Sequence, residues 1–355
     1  MTNPKCLGRA IPDTLGARSA HLTGLKMRRI TRGEFITLLG SASVAWPFGA
    51  RAQQPAMPVI GYLSSLTQAD SIRFDAAFRR GLSEMGYVEG QNVSIEYRRI
   101  TDRYDPLPAM AGDLVQRRVA VICALGPPGV LAAKAATTTI PIVFVTGADP
   151  LKFGFVTSFS RPGGNITGIW IVSTVLAQKR LQLVRELLPK AELVALLVNP
   201  TSPVAEPQTR DAQAAAGALG LKLSVLNAVT ENDFDQVFAT VVQQRADALF
   251  VSADPFLSSR REQLVALAAR HGIPTLYEIR EFVEAGGLIS YGTVLREGYY
   301  KGGIYAGRIL KGASPADLPV EQVNRLELLI NLKTARTLGL QIPDKLLALA
   351  DEVIE

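Results

Sequence analysis

From residue 58 onward, short apolar runs alternate with longer amphipathic stretches. The runs at 59–63, 119–125, 141–145, 193–198, 223–226, 248–251 and 288–291 are rich in β-branched residues and nearly uninterrupted, as in strands covered on both faces. The segment 93–97 alternates as a more exposed strand, and 274–277 is a weaker one. Between them, Ile72, Ala76, Phe78 and Leu82 recur at near-helical spacing and predict a helix over 71–85 that stops at Gly86. Further helices are predicted at 130–137, 176–188, 206–219, 233–244 and 258–271, with Asp233 as an N-cap and Gly220 and Gly272 as terminators.

Strand–helix alternation of this kind builds parallel sheets with crossover helices. The turn-rich joint Arg161-Pro162-Gly163-Gly164-Asn165 divides the pattern into two similar series. About 300 residues also exceed what one hydrophobic core commonly serves. The expected fold is α/β, two doubly wound parallel-sheet lobes. The first spans 57–165 with part of 292–325, and the second spans 166–291 with part of 326–355. A terminal helix (296–310), strand (326–330) and helix (332–338) must cross back, and the pattern does not say which lobe receives the last strand.

Open parallel sheets bind ligands at the carboxyl ends of their strands, beside helix N-termini. Those ends carry Ser64 and Ser65, Gly126 and Pro127, Thr146 through Asp149, Asn199, Asp254, and Ser290 with Tyr291. Three of them place an Asp or Asn before Pro (Asp149, Asn199, Asp254). Each of these is either a cap for the next segment or a ligand contact.

The segment before 57 changes what the charge means. Met27-Arg28-Arg29, the uncharged run 35–48 and Ala50-Arg51-Ala52 have the layout of an export signal cleaved near Ala52. The run is too short for a permanent membrane span, and the general and twin-arginine export routes are both compatible with it. Residues 1–26, including Cys6, read as an overlong start or a disordered extension. Residues 1–52 hold eight Lys/Arg and two Asp/Glu, which is the whole net charge of +6 and leaves 30 of each sign. A neutral mixed surface gives no footprint for nucleic acid or anionic lipid. The expected product is periplasmic, without stable membrane insertion, and monomeric.

Chemistry-bearing motifs are sparse. The mature region has one cysteine, Cys123, inside an apolar run, and one histidine, His271, beside a helix-ending glycine. Neither a disulfide framework nor a transition-metal site is expected, and no cofactor is called for. There is no G-x-G-x-x-G after the first strand, no phosphate loop and no G-x-S-x-G. An extracytoplasmic α/β enzyme acting through carboxylates is the alternative reading. A ligand-sensing regulator is disfavoured because an export leader stands where a DNA-binding module would.

Several longer stretches are similar to one family. Pro141-Ile142-Val143-Phe144 with Asp149-Pro150, the run from Arg161 to Gly168, and the segments 132–141, 280–292, 304–312 and 330–335 resemble the tryptophan-binding-protein-like group of ABC transporter substrate-binding proteins. The resemblance covers 58–355 and extends to the leader. It implies the type I periplasmic-binding-protein fold, with two α/β lobes closing about a hinge on a small-molecule ligand that is delivered to a membrane permease. It also implies a binding protein rather than an enzyme, with an amino acid, possibly aromatic, or a related carboxylate or amide as cargo. In such a cleft a carboxylate suits Ser64, Ser65 and the N–H groups after Gly126. An ammonium suits Asp149 or Asp254, and Tyr277 and Tyr291 would flank a planar group. Pro127, Thr146 and Asn199 complete the expected lining.

Overall fold

The computed structural model describes residues 57–173 and 176–355. The leader, its cleavage site and the extension before it lie outside the described residues. Two sheets form. The first is built from β1 (Val59–Ser64), β2 (Ser94–Arg99), β3 (Val121–Leu125), β4 (Ile142–Thr146), β5 (Ile166–Ile171) and β11 (Glu321–Val323), in the order β11-β5-β4-β3-β1-β2. All its pairings are parallel. The second is built from β6 (Leu193–Val198), β7 (Lys222–Asn227), β8 (Ala248–Val251), β9 (Thr275–Tyr277), β10 (Ile289–Thr293), β12 (Leu326–Asn331) and β13 (Glu352–Ile354), in the order β13-β12-β10-β9-β8-β6-β7. Among its pairings only β10 with β12 is antiparallel.

The continuous apolar runs predict this architecture for a simple reason. β3 and β4 are buried at every position, because helices cover both faces and neither face can be polar. One apolar cluster lies on each side of each sheet. Cys123 belongs to one of them, and burial pushes its thiol pKa up, away from reactivity.

The boundary expected at 165 is corrected by the pairing. β5 joins β4 in register from Ile142↔Ile166 to Thr146↔Trp170, so it belongs to the first sheet instead of opening the second. The turn at Arg161–Asn165 is thus an internal connection of the first lobe, and the chain crosses after Ile171. Three crossings lie side by side. Val172 N–H donates to the Val323 carbonyl (3.1 Å), Val294 N–H donates to the Arg325 carbonyl (3.1 Å), and Thr293 Oγ1 donates to the Val172 carbonyl. The last strands, β12 and β13, go to the second sheet.

The helix Leu295–Leu310 is reached from the second sheet yet packs on helix Gln68–Glu84 of the first. Glycines permit the approach: a Cβ at Gly81 would run into the Tyr300 carbonyl, and one at Gly303 into the Phe78 carbonyl. Among the described residues no helix is long and apolar enough to cross a membrane.

Candidate functional site

The carboxyl ends of β1, β3, β4 and β5 face those of β8 and β9 across a cavity of about 100 Å³. The first lobe supplies Ser65, Gly126, Pro127 and Gly147, together with Phe74 from helix Gln68–Glu84. The second supplies Asp254, Ser258, Arg261, Glu278, Ile279 and Glu281. Leu295 and Tyr299, from the helix that returns to the first lobe, complete an apolar side with Val145 and Ile171. Phe74 and Tyr299 stack there with ring centroids 4.7 Å apart and planes 19° apart.

The lobes are held together over this cavity by polar contacts. Arg261 Nη1 lies 2.7 Å from Asp70 Oδ1, and Arg73 Nη1 lies 3.1 Å from Glu281 Oε1 and 3.2 Å from Glu284 Oε2. The hydroxyl of Tyr104 donates to Asp254 Oδ2 (2.9 Å) and accepts from Phe256 N–H (3.0 Å). Burial and the Asp254 charge push the Tyr104 pKa up, so it stays a donor. This is a closed arrangement.

Of the ten residues expected at the site, Ser65, Gly126, Pro127 and Asp254 line the cavity. Ser65 Oγ accepts from Gly129 N–H at 3.0 Å, leaving the hydroxyl hydrogen available. Gly126 has φ of 78°, where a side chain would be strained, and a Cβ there would lie 3.0 Å from that of Ser65. Asp254 is buried, and its Oδ1 accepts from Phe256 N–H (3.0 Å), Leu257 N–H (3.2 Å) and Asn199 Nδ2 (3.3 Å). Burial raises its pKa against those bonds.

The other six sit elsewhere. Ser64 Oγ accepts from Leu66 N–H and Thr146 Oγ1 from Ala148 N–H, both turned into their own loops. Asn199 is buried behind the wall and holds Thr201 and Asp254. Asp149 Oδ1 accepts from Leu151 N–H (2.9 Å) and Lys152 N–H (3.1 Å), so it caps the turn at 150–153, and it is outside the cavity lining. Tyr277 is wholly buried and stacks on Phe282 at 4.4 Å. Strand alternation explains this, since Tyr277 faces the helices while the next residue, Glu278, reaches the cavity. Tyr291 packs against the second-lobe core, because β10 continues to Thr293 and the strand end lies beyond it.

The N–H groups expected to receive a carboxylate after Gly126 are also corrected. Pro127 and Pro128 have none, and that of Gly129 is given to Ser65. Glu278 and the helical residues Asp70, Arg73, Arg261 and Glu281 were not legible as site residues, the latter four because charged positions on helices read as solvated faces. Glu278 had one usable signal, its place directly after a strand. Burial drives its pKa up to about 7, with nearby Asp254 adding to the rise, while Arg180 and the hydrogen bond from Ser258 (2.8 Å) oppose it.

Comparison with known proteins gives a consistent picture. The model of a family described as "ABC transporter substrate binding protein" matches residues 70–354. A "Tyrosine-binding protein" of Clostridioides difficile is 26% identical over 280 residues, covering 79% of this chain and 80% of that protein. A Streptococcus pneumoniae ABC domain solved with L-Trp is 25% identical, with a TM-score of 0.77 over 84% of this chain and 99% of that one. A conserved domain protein of Vibrio cholerae shares the fold at a TM-score of 0.78, with 24% identity and the same shares covered.

Proposed function

Because the chain belongs to the family of ABC transporter substrate-binding proteins, whose members work outside the cytoplasm, we propose that it closes on a small, largely apolar amino compound and presents it to an importer permease. The export signal expected at 27–52 supports cleavage near Ala52 and a periplasmic product.

One observation carries this reading. The interlobe cavity combines an acidic wall, Asp254 with Glu278, and an aromatic side, Phe74 with Tyr299. An ammonium and an apolar body fit those two sides. A relative named for tyrosine and a neighbour solved with L-Trp support an aromatic group. The cross-lobe pair Asp70–Arg261 offers a means of holding closure once the cavity is filled.

Native mass spectrometry of gently purified protein, followed by calorimetry with aromatic amino compounds, tests the proposal. Stoichiometric binding without chemical change of the ligand is expected. Turnover of the bound compound, or no response to any small molecule, would overturn it.

A further inference from the structure

The charges on the cavity wall do not balance. Four carboxylates line it (Asp70, Asp254, Glu278, Glu281) against two guanidiniums, Arg73 and Arg261. Each guanidinium is already matched across the lobes, Arg261 to Asp70 and Arg73 to Glu281. Of the two carboxylates that remain, Glu278 has the Arg180 charge near it, behind the wall. Arg180 is buried and donates to main-chain carbonyls instead of carboxylates: Nε to Tyr291 (2.8 Å) and Nη1 to Ser173 (3.0 Å). Burial lowers its pKa only to about 10, so it remains charged near neutral pH. With both carboxylates ionised, the wall is short of one positive charge, in surroundings where water screens little.

Apart from the Ser65 hydroxyl hydrogen, the donors at the two helix N-termini that would receive a ligand carboxylate are already engaged. Helices Pro127–Ala136 and Pro255–Ser259 both begin at the cavity. The first offers two prolines and an N–H given to Ser65, while the N–H groups of Phe256 and Leu257 are given to Asp254 itself. Ser258 Oγ lies 2.8 Å from both Glu278 Oε1 and the Asp254 carbonyl, and its one hydrogen is shared between them. A second carboxylate would therefore meet acidic groups with the Ser65 hydroxyl as its lining donor, because the guanidinium group left without a partner, Arg180 Nη2, lies outside the cavity lining.

We propose that the ligand is a monocationic amine with an apolar or aromatic body and no carboxylate, its ammonium set against Asp254 and Glu278 and its body against Phe74, Tyr299 and Leu295. This rests on the reading of the cleft as a solute site and narrows it from amino compounds in general to amines. A zwitterionic amino acid brings no net charge and leaves the deficit in place. An amine cancels it.

Matched pairs test this on the mature protein: tryptamine with L-tryptophan, tyramine with L-tyrosine, and 2-phenylethylamine with L-phenylalanine, each by calorimetry at pH 8. At least one amine should bind about tenfold or more tightly than its amino acid. Glu278→Gln should narrow that ratio, and Asp254→Asn provides a second variant if the first folds poorly. Equal or tighter binding of the amino acid in every pair that binds overturns the charge assignment while leaving the solute-site reading intact. If none of the six binds, the compound released from purified protein decides: an amine without an acid group supports the proposal, and a carboxylate overturns it. Protein that responds to no probe and carries nothing rejects the solute-site reading itself, and this proposal with it.

Discussion

The two walls of the cleft are built by different means. The first-lobe wall is made of tight loops and small groups (Ser65, Gly126, Pro127, Gly147), and its two charged residues, Asp70 and Arg73, are paired across the lobes. The second-lobe wall is made of charged side chains drawn from separate elements: Asp254 after β8, Arg261 on helix Arg261–His271, Glu278 after β9 and Glu281 on helix Arg280–Glu284. One wall therefore sets shape and the other sets charge. A ligand should be sorted by size on one side and by ionisation on the other.

The comparison can be broken most forcefully at Asp254. Asp254→Ala leaves two helix N–H groups uncapped and strips Asn199 and Tyr104 of a buried partner. Urea denaturation should show a loss of about 2–4 kcal/mol, whereas Asp254→Asn, which can still cap, should stay within about 1 kcal/mol. A small loss in the alanine variant would mean that the charged wall is held by something else.

Acidity sharpens the same contrast. Glu278, with its carboxyl pushed up to about 7, faces Arg180, Asp254 and Ser258, and Arg261 and Glu281 share its wall. An ammonium favours the ionised form of Glu278, so affinity for a cationic ligand should rise from pH 6 to 8. Below pH 7 it should fall by up to about tenfold per unit. Glu278→Gln should flatten that slope. A flat wild-type profile would remove the ammonium from this wall.

A smaller effect is expected at the rim. Arg261→Met removes the 2.7 Å cross-lobe contact with Asp70, which favours the open form and should weaken ligand binding by about three- to tenfold. Small-angle scattering of the ligand-free variant should give a larger radius of gyration than wild type. Unchanged values would place the closing energy in the apolar side instead.

The smallest effect is expected at Asp149→Asn, which should leave affinity unchanged and stability within a few tenths of a kcal/mol, because Asn caps as well as Asp. A clear loss of affinity in calorimetry would return Asp149 to the binding surface.

Asp149 and Asp254 also show what a sequence can and cannot reveal. Both are Asp before Pro shortly after an apolar strand, and both cap the next turn of the chain, yet only Asp254 lines the cavity. That difference is set by where the opposite lobe lies, which local pattern does not encode. Strands such as β3 and β6 were legible because a doubly covered strand must be apolar throughout. β5 was legible as the run Ile166 to Ile171 only once its partner β4 was known. Arg73 and Arg261 could not be found, since their partners are more than 190 residues away in the chain. Tyr277 was misplaced by one residue, enough to reverse a side chain in a strand.

The return of helix Leu295–Leu310 to the first lobe also fixes an order of events. Tyr299, Tyr305, Ala306 and Ile309 belong to the first-lobe apolar cluster, and β11 forms the edge of its sheet. A chain emerging from its N-terminus therefore holds an unfinished first lobe, with helix Gln68–Glu84 uncovered, until β6 to β10 have all been delivered. The lobe begun first is completed only with β11, and the second sheet later still with β12 and β13, so neither lobe can finish folding until the chain has made all three crossings.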